Sequence, residues 1–121
     1  MKRIGILTCL HAGEICTGAS CLRAFAERKC FFEGYGEDTQ LLAFMKCNGC
    51  AEDGAAKPRE DAGILEKVER LEQEGIETVH VGVCRFRQGP DGNREECARL
   101  MEICRMIEER GIQVIRGTHR E

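Results

Sequence analysis

Cys47-Asn48-Gly49-Cys50 sets two thiols two residues apart, around a turn that small Gly49 and the left-handed-tolerant Asn48 make easy. That spacing lets both sulfurs face the same way. It suits a thiolate grip on one metal ion. It also suits a reversible dithiol, in which one thiol of lowered pKa attacks and its neighbour resolves the mixed disulfide. Around the pair stand seven more cysteines, Cys9, Cys16, Cys21, Cys30, Cys84, Cys97 and Cys104, and three histidines, His11, His80 and His119. Nine thiols cannot all pair off, and a chain of 121 residues buries enough surface to fold without staples. Free thiols in a reducing, cytoplasmic setting are the expectation.

The elements that must carry these groups follow from hydrophobic periodicity. Apolar runs over 3–9, 40–46, 76–83 and 112–115 read as buried strands. Between them lie three helical patterns. Ser20 is the expected cap of a helix from Cys21 to about Phe32. Asp61 caps one that carries Ile64, Leu65, Val68 and Leu71 on a single stripe and stops at Gly75. The third spans about Arg94 to Arg110, after the turn-rich Gln88-Gly89-Pro90-Asp91-Gly92. Alternating strands and helices predict an α/β fold: a three-layer, four-stranded parallel sheet flanked by about three helices, like half of a flavodoxin or Rossmann fold, in strand order 2-1-3-4. No linker interrupts the pattern, so residues 1–121 read as one domain.

This topology gives the cysteines a common address. Cys9 ends the first strand, Cys47 the second and Cys84 the third, while Gly117-Thr118-His119 follows the fourth. The carboxyl ends of parallel strands share one edge, and ligands of open sheets bind there. Cys16 and Cys50 lie in the loops behind those ends, and Cys97 stands near the start of the third helix. The expected metal ligands are therefore Cys9, Cys16, Cys47, Cys50, Cys84, Cys97 and His119. Cys30 and Cys104 fall on helix positions that suit packing. His80 lies inside a strand and reads as a core histidine. Cys21, at a helix start, divides evenly between core residue and extra ligand. His11 reads by default as a solvated loop residue, with ligation or proton transfer as its alternative role. For Arg85, Arg87, Arg116 and Arg120, solvated surface is a plainer reading than charge compensation for thiolates.

Composition removes other classes. Eighteen basic against 21 acidic residues, net −3 with a pI near 5.7, leave no footprint for nucleic acid. No apolar stretch approaches the length of a membrane span, and Met1-Lys2-Arg3 followed by a short apolar run does not read as a secretory leader. A single serine, Ser20, disfavours serine-hydrolase chemistry.

Over nearly its whole length the chain resembles the CGGC-domain proteins, a family of small cysteine- and histidine-rich proteins regarded as metal-binding, with zinc the expected ion. The resemblance rests on Cys9, on Cys16-Thr17-Gly18 followed by Leu22-Arg23-Ala24-Phe25, and on Phe44-Met45-Lys46-Cys47-Asn48-Gly49-Cys50. Val83-Cys84, Cys97 and Gly117-Thr118-His119 complete it. Asn48 replaces the family's second glycine. Ala98 and Arg99 follow Cys97 where the family often has a proline and a histidine, so a histidine ligand is missing there. The resemblance implies a metal site and no particular reaction. The functional expectation is a cysteine-rich domain holding zinc, or alternatively an iron–sulfur cluster, at the strand ends. If the site is catalytic, an open coordination position beside His11 or His119 is expected. Two other classes compete: a metal-free thiol oxidoreductase or sulfur-handling protein using Cys47 and Cys50, and a metal-sensing or metal-delivery module.

Overall fold

The computed structural model describes residues 2–120. Among these the strands are β1 (Arg3–Thr8), β2 (Gln40–Lys46), β3 (Thr78–Val81), β4 (Phe86–Gln88), β5 (Arg94–Glu96) and β6 (Gln113–Arg116). The α-helices are α1 (Ala19–Ala26), α2 (Ala62–Gln73) and α3 (Ala98–Glu109). Parallel pairing joins four strands in the order β2-β1-β3-β6, the order the alternating pattern predicts. Ile4, Ile6 and Leu7 of β1 are fully buried, each side chain contributing about 1.5–3 kcal/mol of transfer energy, which keeps β1 in the interior of the sheet. Their alternation divides the core in two. Ile4 and Ile6 pack with Cys21 and Ala24 of α1 and with Phe32. Leu7 packs with Val79, Val81, Ile64 and Val68 and with Leu100, Ile103 and Ile107 of α3. One helix thus covers one face and two cover the other, making three layers. Among the described residues, no helix is long and apolar enough to cross a membrane.

Several boundaries differ from the periodic reading. α1 begins after Gly18, whose φ of +80° sets the chain into the helix; Ser20 makes no capping bond. It ends at Ala26 instead of Phe32. Arg28 and Cys30 both take positive φ, +54° and +58°, and the Arg28 guanidinium holds the reversal by donating to the carbonyls of Phe25, Gly36 and Thr39. Phe32 still reaches the core through a short 3-10 turn, edge-on to Phe25 at 5.7 Å. Cys30 does not: expected to pack, it is exposed, because the turn carries it off the helix face. Cys104 is buried in the core as expected.

The third helix begins at Ala98, four residues later than the pattern suggests. Residues 94–96 instead pair antiparallel with 86–88 in a small hairpin, Phe86 opposite Glu96 and Gln88 opposite Arg94. The hairpin overturns the surface reading of Arg85. That side chain is only 2% exposed, donating to the Gly82 carbonyl at 3.3 Å and to Glu96 at 3.0 Å. Asp61 caps α2 as its spacing predicts, Oδ1 accepting from the amides of Gly63 and Ile64 at 2.9 and 3.2 Å.

His80 is fully buried, and both ring nitrogens are engaged. Nδ1 lies 2.8 Å from the Gly117 carbonyl and so carries the proton, which leaves Nε2 to accept from the Tyr35 hydroxyl at 2.7 Å. Burial, aided by the Lys2 charge, pushes its pKa below the ordinary 6.5 even though the Gly117 carbonyl acts the other way. The unfolded chain therefore binds a proton that the folded ring refuses. This contribution to stability is intact above about pH 6.5 and falls as pH drops below it, by at most about 1.4 kcal/mol per pH unit. Imidazole NMR titration of the metal-free protein is expected to show His80 neutral through pH 6.5; a midpoint above that value contradicts the assignment.

Candidate metal centre

Parallel register brings the ends of β2, β1 and β3 side by side, with Thr8 opposite Lys46 and Leu7 opposite Val81. Cys47 follows β2 directly, Cys9 follows β1, and Cys84 lies in a 3-10 turn, Val83–Arg85, just beyond β3. The two amides that leave β1 each meet a sulfur. The Cys9 amide donates to Cys84 Sγ at 3.1 Å, and the next amide, Leu10, donates to Cys47 Sγ at 3.3 Å. Two sulfurs separated by 37 residues of sequence are thus gathered onto successive peptide groups. N–H donation to sulfur favours the thiolate, the form that binds metal. Cys16 Sγ accepts in the same way, from the Gly18 amide at 3.3 Å.

Beside this junction is a cavity of about 50 Å³, bounded by Cys9, Cys16, Cys21, Cys84, Phe44 and His119. It has room for a few waters or a small ligand. Cys21 is buried there on the side of α1, its Sγ 3.1 Å from Thr118 Oγ1 and 3.5 Å from His119 Nδ1. The tail that delivers His119 is anchored twice, by His80 on the Gly117 carbonyl and by the Phe31 amide on the Thr118 carbonyl at 3.1 Å. Burial, with the charges of Arg120 and Arg23, pushes His119 below its ordinary pKa, so its imidazole stays neutral and available as a ligand. Larger concavities lie beside Tyr35 and Gln113 and between β2 and α2, but neither is lined by cysteine or histidine.

The turn from Cys47 to Cys50 has the conformation its residues suggest, with Asn48 at φ +65° and Gly49 at φ +109°. Two cations hold it from α2 and α3. Lys67 Nζ donates to the Lys46 carbonyl at 3.0 Å and to Asn48 Oδ1 at 2.5 Å. Arg99 donates from Nε to the Cys47 carbonyl at 2.9 Å, from Nη1 to the Ala56 carbonyl, and from Nη2 to Asp61 Oδ2 at 2.9 Å. Partial burial raises the Asp61 pKa, but the Ile64 amide, the Arg99 guanidinium and the Gly63 amide outweigh it and hold the carboxyl below 3.8. Arg99, where the resembling family often carries histidine, is therefore a clamp on the loop that presents Cys47 and Cys50.

A search of protein families matches the description "CGGC domain" to residues 3–119. The chain belongs to the CGGC family. No curated protein and no solved structure matches it. The matched span runs from β1 to the His119 tail, so every thiol and imidazole of the rim lies inside it. Cysteine-rich metal binding fits both the family and this constellation.

The remaining expected residues of the CGGC domain sit further out. Burial first, then the neighbouring thiols of Cys9 and Cys47 and the carboxylates of Glu52 and Asp53, push the Cys50 thiol above its ordinary 9.0. Cys84 is also raised, by burial and by the thiols of Cys9 and Cys21, against the opposing Cys9 amide. Crowded thiolates repel one another unless a cation lies among them. Cys97 stands apart: its amide donates to the Arg85 carbonyl, and its side chain packs against the core of α2 and α3. Arg87, paired with Glu52 at 3.1 Å, feels both Cys97 and Cys50. His11 is exposed, its imidazole bonded to Asp53 and lying 3.5 Å from Glu14. Among the described residues, His11, Cys50 and Asp53 form a set of three metal-ligating groups whose donor atoms all lie within 4.8 Å of one another. Asp53 is absent from the sequence-based ligand set. Its only signal is the three-residue step from Cys50, which a 3-10 turn over 51–53 converts into one side, and beside Glu52 it reads as ordinary solvated charge.

Proposed function

We propose that this CGGC domain binds zinc at the carboxyl rim of its sheet, with Cys9, Cys47 and Cys84 as thiolate donors. One further donor from the wall of the adjoining cavity, Cys16 or His119, completes the four. The observation that carries this reading is the pair of successive amides, Cys9 and Leu10, donating to Cys84 Sγ and Cys47 Sγ. Amides aimed at sulfur place these sulfurs before any ion arrives, and a zinc ion, which accepts four N and S donors tetrahedrally, draws off the thiol protons as it binds. Mutual repulsion among the rim thiols becomes attraction to the ion.

A thiolate-rich rim also suits an iron–sulfur cluster, and the free thiols suit a reducing compartment, where we place the protein. The metal-free dithiol reading has less support. No α-helix opens at the Cys47–Cys50 pair, where a helix N-terminus would lower the pKa of an attacking thiol.

Anaerobic purification followed by elemental analysis and absorption spectroscopy tests the reading. Stoichiometric zinc with a colourless protein is expected. Broad visible absorption with iron and acid-labile sulfide replaces zinc by a cluster at the same rim. A metal-free protein of full stability, cycling a Cys47–Cys50 disulfide at a physiological potential, overturns metal binding altogether.

A further inference from the structure

Outside the rim junction, the loops behind β1 and β2 turn toward one point. His11 precedes the 3-10 turn Ala12–Glu14 behind β1, and Cys50 closes the turn behind β2. Asp53 folds back over Cys50, because its amide donates to the Cys50 carbonyl at 3.0 Å and Gly54, at φ +84°, ends the 3-10 turn. His11 Nε2 then meets Asp53 Oδ2, and Cys50 Sγ lies within 4.8 Å of the other two donor atoms. The far ring nitrogen, Nδ1, is 3.5 Å from Glu14 Oε1, a carboxylate placed to orient the imidazole as outer-shell partners of metal ligands do. Zinc bonded at about 2.0–2.3 Å sets its donors roughly 3.3–3.8 Å apart, so small side-chain rotations that part His11 from Asp53 and break their hydrogen bond seat an ion among the three.

We propose that His11, Cys50 and Asp53 hold a second divalent cation, at the lip of the rim and separate from the thiolate centre of Cys9, Cys47 and Cys84. One imidazole nitrogen, one thiolate and one carboxylate make a borderline donor set, which zinc accepts readily and cobalt reports well. The ligand class is a divalent ion of that kind. Three protein ligands leave a coordination position for water or an incoming donor, the hallmark of an open site in contrast to a closed structural one. His11 and Asp53 are 42% and 54% exposed, so the ion exchanges with solvent directly. Cys50 also neighbours Cys9 and Cys47, which puts the lip site next to the inner thiols, as a loading position would require.

Cobalt(II) titration of the reduced, metal-free protein, followed by visible and sulfur-to-metal charge-transfer absorption, tests this. The wild type is expected to take two equivalents. His11→Ala with Asp53→Ala is expected to weaken one of them by more than roughly 100-fold, the upper range for losing even outer-shell partners, while keeping the intense charge-transfer band of the thiolate centre. Cys9→Ser with Cys84→Ser is expected to do the reverse. Wild-type stoichiometry and affinity in the His11/Asp53 variant overturn the lip site. So does a single equivalent that responds only to Cys9 and Cys84, which leaves the proposed function standing. A single equivalent that responds only to His11 and Asp53 overturns the inner centre and keeps the lip site. One equivalent lost in both variants means one shared centre and ends the two-site inference; no binding at all ends both. Circular dichroism of each metal-free variant verifies the fold, and the exposure of His11 and Asp53 makes that pair the safer of the two.

Discussion

Cys84→Ser is expected to lower zinc affinity roughly 100-fold or more, while Cys30→Ser leaves it unchanged. The contrast follows from where each sulfur stands. Cys84 Sγ is fixed on the Cys9 amide at the strand ends, whereas Cys30 is exposed on a turn beside α1. A serine hydroxyl can still accept from the Cys9 amide, so the folded chain loses little, but an alcohol remains protonated near neutral pH and is a poor zinc ligand. The effect therefore separates binding from folding. In the metal-free state, thermal unfolding of Cys84→Ser should match the wild type closely. Added zinc should raise the midpoint of the wild type and of Cys30→Ser, since a ligand that binds only the native state stabilises by mass action, and leave Cys84→Ser behind. Competition against a chromophoric chelator gives the affinities. Equal affinities for Cys84→Ser and Cys30→Ser would remove Cys84 from the centre.

Arg99→Met should destabilise the fold by about 2–4 kcal/mol, near the range for removing one partner of a buried ion pair. Its side chain is 8% exposed and that of Asp61 17%, so solvent screens the pair little. Methionine fills much of the volume but leaves the carbonyls of Cys47 and Ala56 without their donor and Asp61 without its cation. The cap on α2 survives, because Asp61 Oδ1 holds the Gly63 and Ile64 amides while Oδ2 faces Arg99. The loss should therefore concentrate in the Cys47–Cys50 loop. Urea denaturation measures the total, and hydrogen exchange at residues 47–56 is expected to accelerate relative to α2. Arg99→Lys restores a cation but not the three-way fork, so an intermediate loss is expected. A change below about 0.5 kcal/mol in Arg99→Met, the level of an ordinary surface substitution, would refute the clamp.

Both predictions join positions that local sequence keeps apart. Asp61 and Gly75 announce α2 by cap and stop, and the structure agrees. The hairpin of β4 and β5 escapes the same reading. Arg94-Glu95-Glu96 carries no apolar residue, so nothing in it alternates between inside and outside, and its pairing is decided by Phe86 lying under Arg94 at 3.8 Å and by Glu96 meeting Arg85. Burial of Arg85 is likewise invisible until that hairpin closes over it. α1 reads too long for a related reason: Phe32 keeps helical spacing with Phe25, yet two positive-φ residues intervene and deliver it to the core by another path.

By itself the sequence determined the alternation of strands and helices, their order in the sheet, and the presence of a cysteine at or just beyond three strand ends. These are properties of period, cap and turn, written in neighbouring residues. Only the tertiary structure decided which amide each sulfur accepts from, that Cys21 joins His119 at the cavity, that Asp53 turns toward His11, and that Arg99 clamps the Cys47–Cys50 loop. The physical reason is range. A sulfur chooses its hydrogen-bond partner by where separate loops close, across separations of 37, 75 and 98 residues, and no local pattern encodes that closure.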